Sequence, residues 1–195
     1  MSIMNVNNLY NDTSMLIYNI VVFALKNDKP LMVIDFMNIT RERGLDSVND
    51  LGNALNNINS IKHGNKIFIH KNPEGIPITQ HAINTMLDFT SVNHDSVIIY
   101  CVYTTTERLK GEGFKSMKAR YKRDDKPTYV MYSRDDCVIY TMMNWLRINN
   151  IYPELWSKDK FQDIAKYKYI QPFCVYLFIQ GYMYKFVFNI NLANF

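Results

Sequence analysis

At 195 residues, with 48% apolar and 21% charged side chains, the chain has the make-up of one soluble globular domain, which argues against disorder beyond the first dozen residues. A net charge of +4 is too mild to dictate a partner, so the placement of charges matters more than their sum. Three widely separated cysteines, Cys101, Cys137 and Cys174, lack the C-x-x-C spacing of a zinc site and read as buried thiols in a reducing compartment.

Residues 1–13 read as a loose lead to a single domain covering 1–195. No Lys or Arg precedes Lys26, and the apolar run from Met15 to Leu25 is too short to span a bilayer. The expectation is an intracellular, cytoplasmic protein without membrane contact. Ser14 can cap a helix running to about Leu25, apolar on most sides and therefore largely buried. Pro30 then opens L-M-V-I-D (Leu31 to Asp35), an apolar run ending on a carboxylate, which reads as a strand buried on both faces. A basic loop follows through Arg41, Arg43 and Gly44. Leu45, Val48, Leu51, Leu55 and Ile58 recur at helical spacing.

Lys66 to His70 reads as a short strand, Ile78 to Phe89 as a helix, and Val97 to Tyr103, rich in β-branched and aromatic residues, as a central strand. Between Arg108 and Arg123 seven basic side chains face the single acid Glu112. Thr128 to Tyr132 is predicted as a strand delivering Ser133-Arg134-Asp135-Asp136, after which Val138, Ile139, Met142, Met143 and Leu146 form one helix face. Pro153 to Trp156 is a brief strand, followed by a turn carrying Asp159 and, one helical turn later, Asp163. Phe173 to Ile179 and Tyr182 to Ile190 read as a hairpin joined at Gln180-Gly181. Strand–helix alternation to about residue 168 predicts an α/β fold, a mostly parallel sheet with helices on both faces, and the hairpin adds an antiparallel edge.

In such a sheet the ends carrying Asp35, Asp135 with Asp136, and Asp159 with Asp163 point to one edge, where open α/β folds place their ligands. Gathered carboxylates raise one another's pKa unless a cation joins them. Oxygen-only ligands suit Mg²⁺ or Mn²⁺, and such an ion activates water against a phosphodiester. Asp35, Asp136, Asp159 and Asp163 are the candidate catalytic metal ligands. Asn38 can fix a carboxylate or substrate through its amide, and Asp135 stands beside the set. Arg41, Arg43, Lys115, Lys118, Arg120, Lys122 and Arg123 are candidate substrate contacts, with Phe114 and Tyr121 placed to stack on bases.

Plainer readings stand beside these. Ser133-x-x-Asp136 and Ser157 with Asp159 also read as helix starts, and the basic segment as solvated surface. His63, His70, His81 and His94 lack ligand spacing and read as surface or strand-end residues. An aspartyl-nucleophile phosphatase would need D-x-D after the first strand, where this chain has Met37. The residues themselves do not separate RNA from DNA or endo- from exonucleolytic cleavage.

V-I-D-F-M-N resembles the V-I-D-G-x-N signature of NYN domains, which are PIN-like ribonucleases. Y-S-R-D-D-C-V-I resembles their Asp-Asp helix segment, and W-S-K-D-K-F-Q-D-I the S-N-D-x-[YF]-R-D-[LI] segment of the Regnase-type branch. The resemblance runs in order from Leu31 to Met183. It implies a three-layer α/β/α PIN-like domain and an endoribonuclease of single-stranded or structured RNA. Mg²⁺ or Mn²⁺ would be held by Asp35, Asp136, Asp159 and Asp163, with Asn38 and Asp135 beside them. Phe36 replaces the family's glycine, Lys158 and Gln162 replace its Asn and Arg, and no Cys-Cys-Cys-His finger follows. The alternative is a catalytically inactive PIN-like RNA-binding or assembly protein. A homo-oligomer is compatible with the sequence without being indicated by it.

Overall fold

The computed structural model describes residues 3–5, 12–26, 29–42, 50–61, 63–72, 78–102, 134–159 and 173–188. Of residues 3–5, 12, 13, 41, 42, 134, 173 and 188 it describes the backbone alone. In chain order the elements are β1 (Ile3–Asn5), α1 (Asp12–Leu25), β2 (Leu31–Asp35), α2 (Phe36–Glu42), α3 (Leu51–Ile61), β3 (Asn65–Lys71), α4 (Gln80–Val92), β4 (Ser96–Val102), α5 (Arg134–Ile148), β5 (Glu154–Trp156), β6 (Phe173–Ile179) and β7 (Tyr182–Phe188). The strands form one sheet in the order β1-β7-β6-β4-β3-β2-β5. All pairings are parallel except β4 with β6 and β6 with β7.

Alternation along the strands sorts the core into two layers. Leu31, Val33, Ile67, Ile69, Val97 and Ile99 face one side, packing with Leu16, Ile20 and Phe23 of α1 and Val138, Met142 and Leu146 of α5. Met32, Ile34, Phe68 and Ile98 face the other, against Leu55 and Ile58 of α3 and Ile83, Met86 and Leu87 of α4. The result is the expected three-layer α/β/α arrangement, with a mostly parallel sheet and a C-terminal antiparallel hairpin, and it is consistent with a PIN-like fold.

The hairpin turn has a local cause. Gln180 and Gly181 both take positive φ, 49° and 78°, the handedness that two-residue hairpin loops require and that glycine adopts without strain. The Gly181 amide donates to Thr90 Oγ1 (3.3 Å), tying the turn to α4.

Four expectations change. Ile3–Asn5, inside the lead read as loose, pairs in parallel with Met183–Lys185 as the outermost strand, so the hairpin is not the sheet edge. α1 starts at Asp12, ahead of Ser14, and it is not largely buried: Tyr18, Val22 and Leu25 are exposed, because the helix forms an outer layer with its other side on the sheet. Arg41 lies in α2, which follows β2 without a loop, while Arg43 and Gly44 fall outside the described residues. α3 begins at Leu51, where the Asp50 carboxylate accepts from the Asn53 amide (3.1 Å) as a cap, while Leu45 and Val48, read at the same helical spacing, lie outside the described residues. The strand expected at Thr128 to Tyr132 lies outside the described residues, as does all of the basic segment from Arg108 to Arg123.

β4, predicted central, is fourth of seven strands. Cys101, Cys137 and Cys174 are free and buried. Among the described residues no helix is long and apolar enough to cross a membrane.

Candidate metal centre

Asp35 is the last residue of β2, and alternation turns its side chain to the face of Leu31 and Val33, beneath α5. It is 3% exposed. Helix α2 begins at the next residue, and the Asp35 carboxylate accepts the backbone amide of Asn38, the geometry of an N-cap. Asp135 and Asp136 occupy the first turn of α5, where free backbone amides and the helix dipole favour negative charge. Asp135 is as buried as Asp35, and Asp136 is half-buried. One carboxylate oxygen from each of the three lies within 4.8 Å of the others. A buried cluster of three aspartates is thus present that could hold a metal ion.

Strand β5 completes the frame. It pairs in parallel with β2 up to Ile34 opposite Trp156, so one further step brings Ser157 abreast of Asp35. Ser157 Oγ donates to Asp35 Oδ2 (2.7 Å) and accepts the Asp159 amide (3.1 Å). Asn38 Oδ1 accepts the Lys158 amide (3.0 Å). The loop after β5 is therefore fastened to the loop-free β2–α2 junction at two points.

Burial is the largest influence on the acids. It pushes Asp35 from its ordinary 3.8 up to about 6, opposed by the Ser157 hydrogen bond and assisted by the charge of Asp135. Burial, then Asp135, Asp35 and Asp159, push Asp136 up to about 8, with Lys71 acting in the opposite direction. Three desolvated carboxylates facing one another are unfavourable without protons or a cation, and oxygen donors of this kind fit a hard divalent ion.

The sequence-predicted residues divide accordingly. Asp35 and Asp136 come together as expected, and Asp135, read as lying beside the set, is a full member of it. Its placement could have been read from the helix that it starts, since Asp135, Val138, Ile139 and Met142 share one face. Asp159 is exposed and outside the three-acid group, although its charge reaches Asp35 and Asp136. The side chain of Asn38 holds the backbone of Lys158 rather than a carboxylate. Asp163, Arg43, Lys115, Lys118, Arg120, Lys122 and Arg123 lie outside the described residues, and of Arg41 the backbone alone is described.

Two residues escaped the sequence reading. By sequence Ser157 reads as a helix cap, whereas its bond to Asp35 follows from strand register that a single sequence does not display. His70, read as a surface or strand-end residue, is the next-to-last residue of β3 and is buried, with its ring 4.8 Å from those of Phe36 and Tyr100. Burial brings its pKa down to about 3, so it is neutral, and its Nδ1 has no hydrogen-bond partner.

Phe36, standing where the resembled signature has glycine, is fully buried on the opposite sheet face, edge-on to Phe68 with centroids 6.2 Å apart. Its side chain points away from the acids. Comparison of the chain with protein-family models, curated proteins and solved structures finds no match.

Proposed function

We propose that this protein is a metal-dependent ribonuclease of the PIN-like kind, which hydrolyses phosphodiester bonds within single-stranded RNA. The observation that supports it is the meeting of Asp35, Asp135 and Asp136 at the C-terminal edge of the parallel strands. The donor set is all carboxylate, which suits Mg²⁺ or Mn²⁺. Asp35, Asp135 and Asp136 are the residues that would hold the ion.

When bound, such an ion lowers the pKa of the attacking water and polarises the phosphodiester. Hydrolysis joins the water oxygen to phosphorus and breaks the bond from phosphorus to one ribose oxygen, which leaves with a proton from the water. The chain's own part is positional. Ser157 and the Asn38 amide hold the Asp35 carboxylate in one orientation, and Asn38 Oδ1 holds the loop that carries Asp159. Asp159, exposed at the rim, stands where a water or a substrate group can reach it. The basic segment from Arg108 to Arg123 supplies the charge for tracking a phosphate backbone.

Purified protein should cleave a single-stranded RNA oligomer with Mn²⁺ or Mg²⁺, and lose that activity in EDTA or as Asp35→Asn. Wild type and variant equally inert would end the reading, and the matching DNA oligomer decides the sugar preference. A non-catalytic PIN-like RNA-binding or assembly protein is the second reading. What favours it is that Asp35 already caps α2 and accepts from Ser157, roles that a structural carboxylate fills. RNA binding that survives EDTA, without cleavage, would select it.

A further inference from the structure

β3 lies beside β2 with Ile69 abreast of Asp35. Ile67 and Ile69 pack in the core layer beneath α5, so alternation turns the next side chain of that series, Lys71, to the same face as Asp35. Lys71 is two residues further along its strand, at the sheet edge where the three acids meet, and it is half-buried where the preceding six residues of β3 are fully buried. Its charge acts on Asp136 across that edge. A cation thus faces the acid cluster from the neighbouring strand, on a rigid element rather than on a loop.

Charge counting gives this lysine a task. Three ionised carboxylates around one divalent cation leave a net single negative charge, and a phosphodiester brings another. Bringing the substrate anion into such a site is opposed unless a fixed positive charge sits beside it.

We propose that Lys71 is the phosphate-contacting residue of this site, its ammonium donating to a non-bridging oxygen of the phosphate that the acid cluster addresses. The assignment rests on the phosphodiester reading above. The contact is electrostatic and hydrogen-bonding and involves no proton transfer. An ammonium in that place stabilises the added negative charge of the transition state as well as the bound substrate.

The deciding experiment titrates adenosine 5′-monophosphate, which has a phosphate but no diester to cleave, into Mg²⁺-loaded protein, followed by ³¹P NMR. Wild type, Lys71→Met, Lys71→Arg and Lys26→Met are compared. Lys26 is exposed just beyond the end of α1 and controls for the loss of one positive charge elsewhere. The assignment predicts binding about tenfold or more weaker in Lys71→Met, largely restored in Lys71→Arg and unchanged in Lys26→Met. Equal binding by wild type and Lys71→Met, or none by either, overturns it. Thermal melting verifies that each variant is folded, and Lys71→Gln replaces Lys71→Met if that variant is not.

RNA cleavage by the same proteins separates this inference from the function it rests on. Phosphate binding that depends on Lys71 without cleavage by wild type keeps the lysine's role and removes the nuclease. Cleavage by wild type together with Lys71-independent phosphate binding does the reverse.

Discussion

The Ser157 hydroxyl donates a 2.7 Å hydrogen bond to Oδ2 of Asp35, joining residues 122 positions apart in the chain. The bond opposes the burial that raises the Asp35 pKa. Removing it in Ser157→Ala should raise that pKa further and reduce the fraction of Asp35 available to a cation at neutral pH. A hydrogen bond to a charged group contributes about 1.5–3 kcal/mol. The expected outcome is Mn²⁺ affinity about tenfold weaker by calorimetry at pH 7, with the deficit shrinking as pH rises. A deficit independent of pH would show that Ser157 acts on something other than Asp35 ionisation.

The raised acids also set how metal-free stability depends on pH. Asp35 and Asp136 bind protons more tightly folded than unfolded, so their contribution is full below about pH 4 and is lost as pH rises through about 6 and then about 8. His70 has the opposite sign. Its pKa falls from 6.5 to about 3, so its contribution is present above 6.5 and is lost as pH falls toward 3. Between pH 6.5 and 8 the carboxyls therefore dominate among these three groups, and metal-free stability should fall by roughly 1 kcal/mol per pH unit. Asp136→Asn should flatten this slope and raise stability at pH 8 while removing cation binding. Denaturant unfolding of both proteins in EDTA checks it.

Phe36 supplies a third prediction. Restoring the glycine of the resembled signature removes a fully buried ring set against Phe68 and His70. Large aromatic-to-small changes in cores cost about 3–5 kcal/mol, and glycine at a helix start adds backbone entropy to the loss. Phe36→Gly should thus be strongly destabilised, whereas Phe36→Leu should keep the fold and the metal affinity. Loss of Mn²⁺ binding in a folded Phe36→Leu protein would show that the ring positions Asp35, which its orientation away from the acids argues against.

How far the sequence is legible depends on the kind of pattern. Leu31 to Asp35 announced itself because a strand buried on both faces must be continuously apolar, and a carboxylate at its end then stands out. The hairpin was legible at Gln180-Gly181 because the positive φ of a two-residue turn favours glycine, here Gly181. α2 was not, since no turn residue separates it from β2 and its cap is Asp35 itself, a residue already assigned another role. The short edge strand β1 was equally hidden, its three residues carrying no period. Within the site, Asp35 and the Asp135-Asp136 pair were visible as residue types. Ser157 and Lys71 depend on which strands lie side by side, and pairing register is a tertiary fact that local pattern does not carry.

The claim beneath all of these is that Asp35, Asp135 and Asp136 bind one divalent cation. A crystal of the protein soaked in Mn²⁺ at about pH 8, with anomalous scattering measured near the manganese edge, tests it most directly. The account predicts a peak among the three carboxylates, at ligand distances of roughly 2.1 Å as for a small hard divalent ion, that vanishes in Asp35→Asn. A clean map at saturating Mn²⁺, with the three acids keeping their present positions, would contradict it.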